Sequence, residues 1–235
     1  MAGTTIEDPG IVESCFQKAC ERTGVSLTPE KNKSVQGLKK RTVFRMFWKE
    51  QLGEEHPDFE LKVDESFRAF REILEEYYRN NALHFTDGCS ETIKYLNEKG
   101  IKVALTTGFY RAVTDLILEK IGWLNGLNED YIGDSSFPIQ ASICSDDVEN
   151  GRPAPEMIHL AMKKLGVSDS KLVVCVGDTP SDLQSGKAAD CALTIGLTNG
   201  THSRELLEPF DSDILLDSLR DFPKFIEDYL HGKQV

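Results

Sequence analysis

Lys171 to Leu183 reads KLVVCVGDTPSDL, and the rest of the chain is organised around this stretch. Leu172, Val173, Val174 and Val176 make a short apolar run, rich in β-branched residues, that stops at Gly177. A continuous apolar run bounded by glycine is the pattern of a buried parallel strand. Asp178 and Asp182 follow it, and Pro180 between them suits the first turn of a helix, where a backbone N–H has no partner to lose. A loop and first helical turn present two acids at that spacing on one face, at the carboxyl end of a strand, where open α/β sheets keep their ligands. Such a pair outlines a site for a hard cation. The competing reading is local: Asp178 caps the helix and Asp182 complements its dipole.

Outward from that stretch the chain alternates between helices and short strands. The pattern predicts a helix near Cys89 to Lys99, a strand at Ile101 to Thr107, a helix over 109–121, and a short strand centred on Ile143 that ends at Ser145. It continues with a helix from Pro155 to Leu165, then, past the central strand, a helix over 181–189 and a strand from Ala192 to Ile195. A short helix from Ser203 to Leu207, a strand from Ile214 to Leu216 and a last helix from Phe222 to Leu230 complete it. Strands separated by helices of this length mean βα units and one parallel sheet. Residues 11–79 differ. Apolar groups recur at helical spacing in Ile11, Val12, Cys15, Phe16 and Ala19, in Val43, Phe44, Phe47 and Trp48, and in Phe67, Phe70, Ile73, Leu74 and Tyr77, with no strand between them. The last set reads as the core of an inserted helical module.

The 235 residues carry a net charge of −12, which argues against nucleic acid or an anionic membrane as a partner. Cys15, Cys20, Cys89, Cys144, Cys175 and Cys191 form no CxxC pair and read as free thiols behaving as small hydrophobes. No signal peptide and no apolar stretch near membrane-spanning length is present, so a reduced, cytoplasmic protein is expected. The five histidines are scattered without ligand spacing, and Glu119 and Lys120 read as solvated helix surface.

Four strand ends gather polar groups. One is the turn Ala2-Gly3-Thr4-Thr5, which normally follows a strand. Another is Thr106-Thr107-Gly108, whose hydroxyls and bare N–H groups beside a helix start suit phosphate oxygens. A third is Gly151-Arg152-Pro153-Ala154-Pro155, where a guanidinium held between Gly and Pro can pair with a phosphoryl group. Asp178 with Asp182 is the fourth. Each is weak alone; their succession carries the weight.

In that order these motifs resemble the haloacid dehalogenase superfamily, and more closely its phosphonatase-like branch. The resemblance implies an α/β, Rossmann-like parallel sheet core at 1–10 and 85–235, with a helical cap at 11–84, and Mg²⁺ as cofactor. It further implies that Asp178 and the carbonyl of Ala2 bind the metal and that Asp182 supports the metal shell and the catalysis. Thr107 with Thr106, Gly108, Gly3 and Thr4 would surround the phosphoryl group, and Arg152 would neutralise its charge. The family nucleophile is an Asp directly before the position of Met1, together with the strand that presents it, and neither lies in the sequence. The expectation is that the chain start has been assigned too far downstream, and that the chain without this strand folds poorly.

Phosphate-ester members carry an acid two residues after the nucleophile, for an alcohol leaving group. Ala2 stands there, as in phosphonatases, in which a cap lysine forms an imine with an aldehyde. Lys40, in Gly37-Leu38-Lys39-Lys40, matches that lysine in spacing, whereas Val43, Gln36 and Phe109 replace a His, a Met and a Tyr. The alternative for Lys40 is a solvated lysine on a basic helix. The resulting expectation is a Mg²⁺-dependent hydrolase of a small phosphonate or organophosphate, acting through an aspartyl-phosphate, with a homodimer as its candidate assembly. The alternatives are a phosphate monoester phosphatase and an inactive protein that keeps the phosphate pocket.

Overall fold

The computed structural model of the chain describes residues 1–232. Its first helices are α1 (Ile11–Thr23), α2 (Pro29–Ser34), α3 (Lys40–Leu52) and α4 (Phe59–Asn80). The Phe16 ring of α1 lies 4.8 Å from Phe44 and 6.1 Å from Phe47 of α3, and 6.0 Å from Phe70 of α4. All four rings are buried. At about 1.5–3 kcal/mol for each such side chain buried, this cluster is what holds the helices together. Helix α2 has no apolar stripe and is absent from the sequence expectation; it forms because Pro29 starts it and Thr28 accepts from the Lys31 N–H. Helix α4 begins at Phe59, ahead of Phe67 where its stripe starts in the sequence, because Phe59 and Val63 are themselves buried.

Helix α5 (Cys89–Glu98) opens the second part, followed by β1 (Ala104–Thr107), α6 (Arg111–Lys120), β2 (Ala141–Cys144) and α7 (Glu156–Leu165). Then come β3 (Val174–Gly177), α8 (Pro180–Ala188), β4 (Leu193–Leu197), α9 (Arg204–Leu207), β5 (Ile214–Leu216) and α10 (Phe222–Gly232). The pairings between these strands are parallel, with Ala104 opposite Ala141, Val174 opposite Leu193 and Ile195 opposite Ile214. The α/β class and parallel strands are as the sequence predicts. The single sheet is not: β1–β2 and β3–β4–β5 are separate sheets. The physical reason is that β1 and β3 do not hydrogen-bond to each other, so each keeps an unpaired edge.

That open edge also corrects the reading of the central strand as fully buried. Val174, Cys175 and Val176 are only half-buried, since β3 has a neighbour on one side, whereas β4, paired on both sides, is buried throughout. Leu172 lies in a 3₁₀ turn before the strand and is 78% exposed. Lys120 is exposed on its helix, as expected, and is also bonded. Its Nζ donates to the carbonyls of Tyr78, Arg79 and Asn81 at 2.6–2.9 Å, closing the C-terminus of α4.

Two strands of chain connect the helical module to the sheets and run side by side. The Glu7 N–H donates to the His84 carbonyl at 2.9 Å and the Thr86 N–H to the Thr5 carbonyl at 3.1 Å. One apolar cluster runs from Met1 and Ile6 through the module to β4 and α10, so both parts share a core. All six cysteines are free. Among the described residues no helix is long and apolar enough to cross a membrane.

Candidate active site

The turn at the start of the chain is wound tightly: the Met1 carbonyl accepts from the N–H groups of Thr5 and Ile6 at 2.8 and 3.1 Å. Gly3 sits in it at φ +79°, against Asp178, and a Cβ there would lie 2.0 Å from the Asp178 Oδ2. Only glycine satisfies both the backbone and the space. The Thr4 hydroxyl donates to Asp178 Oδ1 at 2.6 Å, and the Thr201 N–H, from the loop after β4, donates to Oδ2 at 2.8 Å. Asp178 is thus fixed in orientation and 1% exposed. It caps no helix; Thr179 does, in a capping box with Asp182.

Asp182 is held from two sides. Its Oδ2 accepts from the Thr179 N–H at 3.1 Å and hydroxyl at 2.6 Å, while Oδ1 pairs with Arg152 Nη1 at 2.8 Å. Arg152 Nη2 donates to the Thr106 carbonyl at 2.9 Å and hydroxyl at 2.7 Å. One buried guanidinium therefore spans the tips of β1 and β3, the two strands whose edges are otherwise unpaired. Thr107 lies at the tip of β1, buried, with its Oγ1 accepting from the Phe109 N–H at 3.2 Å.

The structure brings Ala2, Thr107, Gly108, Arg152, Asp178 and Asp182 onto the wall of one cavity. Thr106 stands behind it on Arg152, and Gly3 and Thr4 act through Asp178. Lys40 forms part of the same wall from the helical module. It is 5% exposed, so the solvated alternative does not hold. Its Nζ donates to the Val35 carbonyl at 2.8 Å and to Gln36 Oε1 at 3.5 Å, and lies 5.2 Å from the Phe16 ring centre. Burial brings its pKa down to about 7, partly offset by Asp8, Cys20 and Glu13. A large share is therefore neutral, nucleophilic amine at neutral pH.

Residues 36–40 reach the cavity because Gly37 fits against the strand tips. At φ +78°, its Cβ position lies 2.2 Å from the Ser181 Oγ and 2.7 Å from the Thr179 Oγ1, and Lys39 Nζ donates to the Ser145 carbonyl at 3.1 Å. Sequence reasoning sets Asp8 aside as a stand-in nucleophile, since it lies several residues beyond the turn, and reads His202 as structural. Asp8 lines the cavity. His202, buried beside the Thr201 contact, bonds to the Lys33 backbone and has a partnerless Nδ1; burial lowers its pKa. The available signal for His202 was Gly200-Thr201-His202 following a strand, at the same carboxyl edge as the other tips.

Among the described residues no cluster of three His, Cys, Asp or Glu surrounds a point. Mg²⁺ does not need one: it takes one or two carboxylates and fills its octahedron with water and phosphate oxygens. Asp178, held by neutral donors, and the adjoining Ala2 backbone are hard oxygen donors that fit that demand, whereas Asp182 is engaged by Thr179 and Arg152.

A sequence profile described as haloacid dehalogenase-like hydrolase matches residues 1–195. A phosphonoacetaldehyde hydrolase of Bacillus cereus is 29% identical to the chain, covering 98% of it and 87% of the relative. One from another strain is 30% identical over 85% of the chain and 74% of the relative. Among solved structures, a phosphonoacetaldehyde hydrolase-like protein from Oleispira antarctica superposes with a TM-score of 0.73 at 18% identity, covering 97% of this chain and 89% of that one. A β-phosphoglucomutase from Clostridium difficile does so with a TM-score of 0.73 at 14% identity, covering 100% and 96%. Both share the fold.

Proposed function

The chain belongs to the haloacid dehalogenase-like hydrolase family, and we propose that it is a Mg²⁺-dependent, cytoplasmic, phosphonatase-like hydrolase of a small phosphonate. The observation that carries this reading is the position of Lys40: a buried amine with a pKa of about 7 on the wall of the cavity that also holds Thr107, Arg152 and Asp178. Cleaving a C–P bond needs an electron sink on the carbon side, and an amine that condenses with a neighbouring carbonyl provides one. The helical module is the cap that excludes water and selects the substrate.

In this reading Thr107 and the N–H groups after it orient the phosphoryl oxygens, and Arg152, held rigid by Asp182 and Thr106, offsets their charge. When bound, Mg²⁺ would be held by Asp178 and the Ala2 carbonyl and would neutralise phosphoryl charge. Asp178 would be taken up by the cation, and Asp182 is engaged by Thr179 and Arg152, so neither is free to attack phosphorus. Ala2 disfavours the phosphate monoester reading, since it has no proton to give a leaving alcohol.

Phosphate release from phosphonoacetaldehyde and from p-nitrophenyl phosphate, with Mg²⁺, tests this. The phosphonate is expected to be turned over faster than the ester. Faster turnover of the ester favours a phosphatase. No turnover of either favours an inactive phosphate-pocket protein.

A further inference from the structure

Asp8 lies on the segment that leads into α1, and its two carboxylate oxygens have different surroundings. Oδ1 accepts from the N–H groups of Ile11 at 2.5 Å and Val12 at 3.3 Å, which closes the start of α1. Among the described residues Oδ2 has no hydrogen-bond partner. Asp8 is half-buried and lines the cavity together with Lys40 and Gln36. Nearby, Tyr78 brings a buried hydroxyl without a partner, and Asp8 is the charged group that acts on it most.

We propose that Asp8 is the general acid for the Lys40 amine, giving up the proton that turns the substrate carbonyl oxygen into water; this rests on the imine reading above. The neutral amine of Lys40 adds to the carbonyl carbon, a C–N bond forms, and the π pair moves to oxygen. The ammonium proton then transfers to that oxygen, leaving a neutral carbinolamine. The C–O bond breaks as the nitrogen lone pair forms C=N, and the departing hydroxide takes the Asp8 proton and leaves as water. An iminium and an Asp8 carboxylate remain, opposite in charge, and the return of water reverses every step. The cavity suits both partners, because burial raises the pKa of Asp8 and lowers that of Lys40. The other groups around the pair are Glu13, Cys15 and Cys20 on α1, Tyr78 on α4, and Asp178 beyond Asp8. The thiols are pushed up to about 11 and about 12 and stay protonated at neutral pH.

The imine step needs no phosphoryl transfer, so the chain as it stands tests it. The protein is incubated with phosphonoacetaldehyde and cyanoborohydride, and the Lys40 peptide is followed by mass. Wild type is expected to be labelled, and Asp8→Asn at least tenfold more slowly at pH 7, with part of the rate recovered in Asp8→Glu. Asp8→Ser, which keeps a capping oxygen but no acid, is expected to match Asp8→Asn, so that a loss of helix α1 is not mistaken for a loss of the proton. The pH profile of trapping is also expected to lose one limb in Asp8→Asn. Equal labelling of wild type and Asp8→Asn would overturn the role of Asp8 while leaving Lys40 in place. No labelling of wild type would overturn both.

Discussion

At the scale of single residues, the site is a set of charges whose freedom has been removed. Lys40 shows this in its titration. Its folded pKa is lowered to about 7, so the reactive amine accumulates as pH rises through that value and is lost below it. Imine trapping measured from pH 5 to 9 is therefore expected to have its rising limb centred near 7; a rising limb near the ordinary lysine value would place Lys40 in water. The same shift has a stability consequence: between about 7 and the unfolded value near 10.4 the unfolded chain binds the extra proton, so this group favours folding more as pH rises. Arg152 gives a second outcome. Its removal as Arg152→Met leaves Asp182 buried with no counter-charge, and urea unfolding is expected to show a loss of about 3–5 kcal/mol. The positions of Asp178, Asp182 and Arg152 were legible in the sequence because Gly and Pro punctuate them. Their partners were not, since the Arg152 bonds to Thr106 and Asp182 join residues far apart in the chain.

At the scale of elements, caps and close approaches position the chemistry. Thr179→Ala removes the reciprocal bonds that start α8, and thermal unfolding is expected to register a loss of about 1 kcal/mol. Gly37→Ala faces both a positive φ and a Cβ within 2.2 Å of Ser181. The strain alone costs about 1–2 kcal/mol, and the segment carrying Lys40 is expected to lift from the strand tips. Faster proteolysis within residues 28–39 and slower Lys40 labelling would show it; unchanged proteolysis would mean that the module does not depend on this contact. Helices with an apolar stripe, such as α1 and α5, were readable to within a residue or so. Helix α2 was not, since it rests on one cap and one proline rather than on periodicity. Asp8 is set aside in the sequence because it lies too far beyond the Gly3 turn to replace a nucleophile, and only the folded chain puts it on one cavity wall with Lys40.

At the scale of the whole molecule, the sheets and the helical module meet at one cavity. The sequence predicted the parallel strands and the convergence of their tips. Arg152 joins the tip of β1, at Thr106, to the first turn of α8 after β3, at Asp182. The central claim, that these tips hold a phosphoryl group with a hard cation, is tested most directly by calorimetric titration of the folded chain with inorganic phosphate, with and without Mg²⁺, in wild type and Asp178→Asn. Wild type is expected to bind phosphate more than tenfold tighter with Mg²⁺ than without, and Asp178→Asn to lose that gain while keeping its circular dichroism spectrum. Equal affinity with and without Mg²⁺, or a gain that persists in Asp178→Asn, would contradict it.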